Sequence, residues 1–513
     1  MRYLMGIDLG STSIKAVIYD YSGNPVSYGT QPTPLSHLDP AQPTWSVWEP
    51  EKIWACVKLS VRQALSGVSS PDNVGAVAVT GFGMDGLPLD KNGAPLYPMI
   101  SWHCPRTIPQ SRSFSEKIGK KRIFELTGKQ VMDIDSIYRM LWLKENHPEL
   151  LEAADKWLLI EDFINFKLCG VQASDYSMAT CTSVFDQRSK SWSKELIEAA
   201  GIPLSLFPPV YQSGTPLGTI LPSAAEETGL AKTTQVVLGG HDFICGAYAV
   251  GAIDSNVLLD LTGTWEMLLL ATDQVNLSDD LYDSGYYIEG HVATNRYMYV
   301  GSFISGDMTE WLKHHLSACN PGALEGSNPW PAIIKAVEDA PLGARGCFFL
   351  PHFSGAGAPF RDPNSMGAFL GLQNIVSRGD MMRAVFEGLD YQFRMMLESF
   401  QSYRLGTPER IIATGGAAKN AFWMQNKADI TGLSLTVPDV YEATPLGAAM
   451  LAGLGCGVYK NDAEAVQAVQ KPSVTYDPDE SKYRQYSQYY NEVFCTLQKE
   501  LCGINHKLSS LFR

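Results

Sequence analysis

The sequence predicts an α/β protein made of two structurally repeated domains that face one cleft. Three observations carry that expectation. At 513 residues the chain is too long for a single hydrophobic core. A glycine hairpin stands near the start, at Gly6-Ile7-Asp8-Leu9-Gly10-Ser11-Thr12-Ser13, and a second follows Asn256, at Leu261-Thr262-Gly263-Thr264-Trp265. A strand–Gly–Gly–helix pattern at 236–246 returns at 411–420, so each half has one. The segment 251–255 reads as the boundary, giving domains 1–252 and 253–513.

Composition removes several classes. A hydrophobic content of 45% with 18% charged residues is ordinary globular composition. A formal net charge of −14 and the lack of a basic run argue against a nucleic-acid partner. Ten cysteines without a C-x-x-C pair suggest neither a zinc ribbon nor a disulfide framework. Asp8 interrupts the N-terminal apolar run too early for a signal-peptide core, and no apolar run is long enough to span a membrane. A cytoplasmic protein with no membrane partner is expected, and a homodimer is left open.

In chain order, Tyr3 to Ile7 reads as the first strand, and Asp8 stands at the entrance of a turn rich in hydroxyls. Backbone amides and side-chain hydroxyls in such a turn can cradle phosphate oxygens, although the same residues are common in any turn. The strand 74–79 leads to Phe82-Gly83-Met84-Asp85-Gly86, and Met99-Ile100 leads to Ser101-Trp102-His103-Cys104-Pro105-Arg106-Thr107. Charge beside aromatics in both segments suits a sugar site, with Asp85 partnered by Arg106 or by sugar hydroxyls. An ordinary loop pair is the plainer reading.

Val236 to Gly240 is an apolar strand running into two glycines, and His241-Asp242 opens a helix. A carboxylate there could accept the proton of an attacking hydroxyl, or it could merely cap the helix. In the second half, Ser377 with Asp380 predicts a capping box on a helix to about 401, with Met381, Val385, Leu389 and Phe393 on its core face. Asn420 to Thr431 reads as a helix stopped by Gly432. Another should start at Thr444-Pro445, with Thr444 as N-cap and a small face suited to close packing or an adenine ring. The aromatic stripe of 483–490 predicts a final helix on the second domain.

Taken together, these motifs resemble the FGGY family of carbohydrate kinases over nearly the whole chain. Gly367-Ala368-Phe369-Leu370-Gly371-Leu372, then Asp380-Met381 and Ala384-Val385-Phe386-Glu387-Gly388, is the most specific match. The resemblance implies two ribonuclease-H-like domains of the actin and sugar-kinase type around an ATP and sugar cleft. It makes Asp242 the catalytic base, with Asp8 and Asp242 as the residues for Mg²⁺. Gly10, Ser11, Thr12 and Ser13, then Gly263 and Thr264, then Gly415, Gly416, Ala417 and Asn420 would meet the nucleotide. Asp85, Trp102, His103, Arg106 and Asp242 would meet a small-molecule sugar. Within the family, the loops at 82–86, 100–107 and 143–148 resemble the branch acting on L-fuculose. Xylulose-acting members usually carry His at Asp85 and Asn-Asp at His103-Cys104.

No G-x-x-x-x-G-K-[ST] occurs, which excludes a P-loop kinase, and no G-x-G-x-x-G follows the first strand. A non-catalytic sugar- and nucleotide-binding regulator is the rival class. Its mark would be loss of Asp8 or Asp242, and both are present.

Overall fold

The structure is a computed structural model and describes residues 3–316 and 328–512. In the first half, β1 (Tyr3–Leu9), β2 (Ser13–Asp20), β3 (Pro25–Pro32), β4 (Val74–Gly81), β5 (Pro216–Thr219) and β6 (Gln235–His241) form one sheet, ordered β5-β6-β4-β1-β2-β3. β1 to β3 are an antiparallel meander, while β4 and β6 run parallel to β1. Every residue of β4 is buried, as its near-continuous apolar run requires of a strand covered on both faces.

The second half repeats this plan. It contains β7 (Val257–Thr262), β8 (Trp265–Thr272), β9 (Tyr287–Gly290), β10 (Tyr297–Ile304), β11 (Arg410–Gly415), β12 (Ser434–Pro438) and β13 (Ser473–Tyr476), ordered β9-β10-β8-β7-β11-β12-β13. β7, β8 and β10 form the meander, and β11 and β12 provide the parallel strands. Five strands in each sheet therefore share one order and one set of directions. The repeat expected from the paired glycine motifs is a repeat of topology.

Helices cover both sheets, led by α1 (Pro50–Leu65) in the first half. Between the sheets lie α2 (Asp242–Ala249) and, from the far end of the chain, α5 (Ala443–Gly455), in a buried cluster with residues of β1, β4, β6, β7 and β8. Their small residues allow the approach. A Cβ added to Gly447 would lie 1.9 Å from the Cys245 carbonyl oxygen, and one on Gly6 would lie 1.9 Å from that of Pro445.

Two expected helices match closely. α3 (Arg378–Ser402) carries the Ser377–Asp380 capping box, and α4 (Ala421–Thr431) starts at the Asn420 cap and stops at Gly432. Val385, Leu389 and Phe393 are buried, whereas Met381 is only half-buried. α5 departs from expectation, because it starts at Ala443 and its cap position is Glu442, with Thr444 already inside the helix. Glu442 reaches that position with a left-handed backbone at φ 56°.

The tail forms α6 (Glu480–Tyr489) and α7 (Cys495–Phe512), joined by a π-helical turn. Tyr486, Tyr490 and Phe494 pack with Tyr391 and Ile430 of the second half, as the aromatic stripe predicted. Every described cysteine is a free thiol, and no helix among the described residues is long and apolar enough to cross a membrane.

Candidate active site

Strand register brings two acids together. Asp8 pairs with Thr80 across β1 and β4, and Thr80 pairs with Gly240 across β4 and β6. The three parallel strands therefore end side by side at one edge of the sheet. Thr80 Oγ1 donates to the Gly240 carbonyl at 2.6 Å and ties the turn to the central strand. Gly239 has to be glycine, since a Cβ there would lie 1.8 Å from the Val79 carbonyl oxygen.

Asp242 is the first residue of α2, and His241 occupies the cap position. Among the described residues its carboxylate accepts only the neighbouring Phe243 N–H, at 2.6 Å, so it is not the N-cap that the plainer reading offered. Burial raises the Asp242 carboxyl above its ordinary value, against the pull of His241 and the Phe243 N–H. Asp8 is pushed up to about 8, first by burial and then by the charge of Asp242, while Lys15 opposes the rise. No hydrogen bond reaches the Asp8 side chain among the described residues. Two mutually repelling carboxylates, one of them without a partner, suit a hard divalent cation such as Mg²⁺.

Lys15 itself pairs with Glu442 across the two halves, at 2.7 Å. Sequence reading did not single out Glu442. Its left-handed backbone and remote partner become visible only once α5 is folded against β2.

The phosphate-type turns occupy corresponding places. In the first, Gly10 N–H donates to the Ser13 carbonyl at 3.2 Å, which leaves Ser11 half-buried and Thr12 exposed at the tip. In the second, Gly263 and Thr264 are exposed, and both carbonyls accept the Gly306 N–H. Thr262 pairs with Gly415 across β7 and β11, placing the second hairpin beside the Gly415-Gly416-Ala417 turn. Gly415 needs its φ of +100°, and the space beside the Gly416 α-carbon is open. An open glycine surface with free hydroxyls suits a nucleotide phosphate chain. The Asn420 side-chain oxygen accepts the Trp423 N–H at 3.2 Å as helix cap, leaving its amide NH₂ for other contacts.

The sugar-side candidates divide. Asp85 is fully buried, and its Oδ2 accepts the Trp48 indole N–H at 2.7 Å and the Trp102 backbone N–H at 2.9 Å. Its other oxygen lies 3.1 Å from Arg139, so the expected partner Arg106 is corrected to Arg139. Burial raises Asp85 to about 6 against the pull of Arg139. Trp102 stacks on His103 with ring centroids 3.7 Å apart, and its buried indole N–H has no acceptor among the described residues.

Arg106 instead lies between Trp45 and Trp142, 4.4 and 5.2 Å from their ring centroids. It lines a separate cavity of about 330 Å³ with Tyr97 and His147. Arg106 belongs to the 3-10 turn at Pro105–Thr107, and its guanidinium donates to Cys104 Sγ at 3.0 Å and to the Ser46 carbonyl at 3.5 Å.

Two further residues, Glu289 and Lys129, escaped sequence reading. A Cβ on Gly83 would lie 3.1 Å from His241 Nε2, so the Phe82-to-Gly86 loop packs directly on His241. His241 Nδ1 meets Glu289 Oε2 at 2.8 Å, and Lys129 meets Glu289 Oε1 at 3.2 Å. Neither Glu289 nor Lys129 sits in a motif, because each partner comes from a distant segment.

Comparison with known proteins covers most of the chain. The model of the FGGY family of carbohydrate kinases, N-terminal domain, matches residues 3–249, and that of the C-terminal domain matches 261–456. L-fuculokinase of Escherichia coli (strain K12) is 29% identical over 466 residues, covering 90% of this chain and 94% of the relative. Xylulose kinase of Bacillus subtilis (strain 168) is 26% identical over 497 residues, covering 96% of each. Among solved structures, xylulose kinase from Rhodospirillum rubrum superimposes with a TM-score of 0.89 at 24% identity, covering 98% of this chain and 100% of that one. Plasmodium falciparum glycerol kinase with ADP gives 0.83 at 21% identity, covering 96% and 98%.

Proposed function

The chain belongs to the FGGY family of carbohydrate kinases, and from that premise we propose that it transfers the γ-phosphoryl group of ATP to a primary hydroxyl of a ketose or related sugar, with L-fuculose the leading candidate. The observation that carries the reading is the convergence of Asp8 and Asp242 at the ends of parallel strands, with one hydroxyl- and glycine-rich turn following β1 and a second following β7.

Phosphoryl transfer asks a protein mainly to position the reactants and balance charge. Asp242 accepts the proton of the attacking hydroxyl, and its raised affinity for protons suits a base working near neutral pH. Asp8 and Asp242 hold Mg²⁺, which when bound supplies charge neutralisation on the phosphate oxygens. Gly10, Ser11, Thr12 and Ser13 donate to phosphate from the first domain, and Gly263 and Thr264 from the second. Gly415, Gly416, Ala417 and Asn420 receive the nucleotide. Trp102 and His103 form the sugar's apolar wall, and Asp85 holds Trp102 in place through its backbone N–H. The division at 252/253 then separates a sugar-binding, catalytic domain from a nucleotide-binding one, acting in the cytoplasm.

Support for L-fuculose comes from the Gly83-Met84-Asp85-Gly86 loop and from the 29% identical L-fuculokinase. D-xylulose is the second candidate, through the xylulose kinase relatives. The test is ADP release in a coupled assay over a panel of ketoses and polyols. L-fuculose should give the highest kcat/KM. A higher value for D-xylulose would replace the substrate, and no sugar-dependent ADP release would leave a non-catalytic binder.

A further inference from the structure

Glu289 is a fully buried carboxylate whose two oxygens have different partners. Oε1 meets Lys129 at 3.2 Å and Oε2 meets His241 Nδ1 at 2.8 Å. It is carried by β9, the edge strand of the second sheet, whereas Lys129 and His241 belong to the first half. The strand is held firmly there. Ile288 N–H donates to the Gly128 carbonyl at 2.9 Å and Gly290 N–H to Thr180 Oγ1 at 3.2 Å. A Cβ on Gly290 would lie 2.8 Å from the Tyr176 backbone, so only glycine permits this approach.

The surrounding groups narrow the role. Cys181 Sγ lies 3.6 Å from the same His241 nitrogen, and Asp135 lies 4.0 Å from Lys129. Burial pushes the Cys181 thiol up, and at 2.8 Å the Glu289 carboxylate is the nearer partner of the ring nitrogen. Burial opposes ionisation of Glu289, yet Lys129 and His241 hold it at about 2. Cys181, His241 and Glu289 are close enough together to ligate a metal. The Lys129 ammonium already meets the charge of that carboxylate, which argues against a cation there. Because a carboxylate only accepts, the hydrogen on Nδ1 is specified, and Nε2 is left facing the cleft. There it lies 3.6 Å from Asp242 Oδ1 and against the Gly83 loop.

We infer that Glu289 is a positioning residue: from the second domain it fixes the ring of His241 beside Asp242, so that the sugar-side centre is complete only when β9 is docked. This rests on the reading of Asp242 as the base. Loss of such a partner behind a metal-ligating histidine typically costs about 10- to 100-fold in activity, and a fall of that order is expected here.

The test compares wild type, Glu289→Gln and the double variant Lys129→Met/Glu289→Gln, which removes both charges. Kinetics use the sugar that the wild type turns over best, and proton NMR follows the His241 Nδ1–H resonance in the ligand-free protein. Both variants should lose about 10- to 100-fold in kcat with KM for ATP within twofold, and the downfield Nδ1–H signal should vanish. Recovery of wild-type kcat in the double variant would overturn the inference by reducing Glu289 to a stabilising ion-pair partner. An unchanged resonance in Glu289→Gln would overturn it as well. If the wild type phosphorylates no sugar, the functional reading fails separately, and the resonance still reports on the geometry.

Discussion

Asp85 and Arg139 form a fully buried ion pair, with Arg139 Nη2 3.1 Å from Asp85 Oδ1. The same carboxylate holds the indole N–H of Trp48 and the backbone N–H of Trp102, so one buried acid sets the start of the 102–107 segment. Asp85→Ala would leave Arg139 buried and unpaired, which costs about 3–5 kcal/mol. Thermal unfolding should show a clear fall in Tm, and sugar KM should rise as Trp102 loses its anchor. An intact Tm with weaker sugar binding would instead make the sugar itself the partner of Asp85.

Asp242→Asn keeps the shape of the side chain and removes the proposed base. Turnover should drop roughly a hundredfold or more, with sugar affinity by calorimetry retained. Near-normal kcat in this variant would remove Asp242 from the chemistry.

Chelation provides a test of the two acids at the strand ends. With excess EDTA, turnover should disappear while calorimetry still detects sugar binding. In Asp8→Asn, the Mg²⁺ concentration for half-maximal rate should rise at least tenfold. An unchanged Mg²⁺ requirement would place the cation elsewhere.

Close packing of α5 against α2 also bears on activity. Gly447→Ala would put a methyl 1.9 Å from the Cys245 carbonyl, on the helix that carries Asp242. Overpacking of this kind costs about 1–3 kcal/mol. We expect a lower Tm together with reduced kcat, because α2 has to move. Unaltered stability would show that the two helices yield without strain.

His291 links stability to pH. Its Nε2 lies 3.3 Å from the Ala252 carbonyl, its Nδ1 accepts the Ala293 N–H, and burial lowers its pKa from 6.5 to about 4. Between those values the unfolded chain binds the proton that the folded ring refuses. This histidine's contribution is therefore complete above about pH 6.5 and lost as pH falls toward 4, amounting to about 2 kcal/mol at pH 5. The Tm difference between wild type and His291→Gln should shrink on going from pH 7 to pH 5. A constant difference would mean that His291 does not titrate in this range.

Much of the site was legible because its parts are local. The hairpins at 10–13 and 263–264, the Gly415-Gly416 turn and the Ser377–Asp380 capping box depend on residues within a few positions of each other. Turn and cap chemistry act over that range. Asp242 could be picked out for the same reason, since strand, glycines and helix start are contiguous in the chain. The start of α5 was misplaced by two residues because Thr-Pro is a strong local signal, while packing of the helix between two sheets selected Glu442 instead.

The sequence by itself determined the α/β class, the twofold repeat of motifs, the family, and which turns carry glycine and hydroxyls. Tertiary structure alone decided how the charges are paired. Asp85 pairs with Arg139 rather than Arg106, Glu289 reaches His241 from the other domain, and Lys15 meets Glu442 427 residues away. The physical reason is that periodicity and turn propensity act between neighbours, whereas a buried charge is satisfied by whichever opposite charge the packed sheets and helices bring within about 3 Å of it.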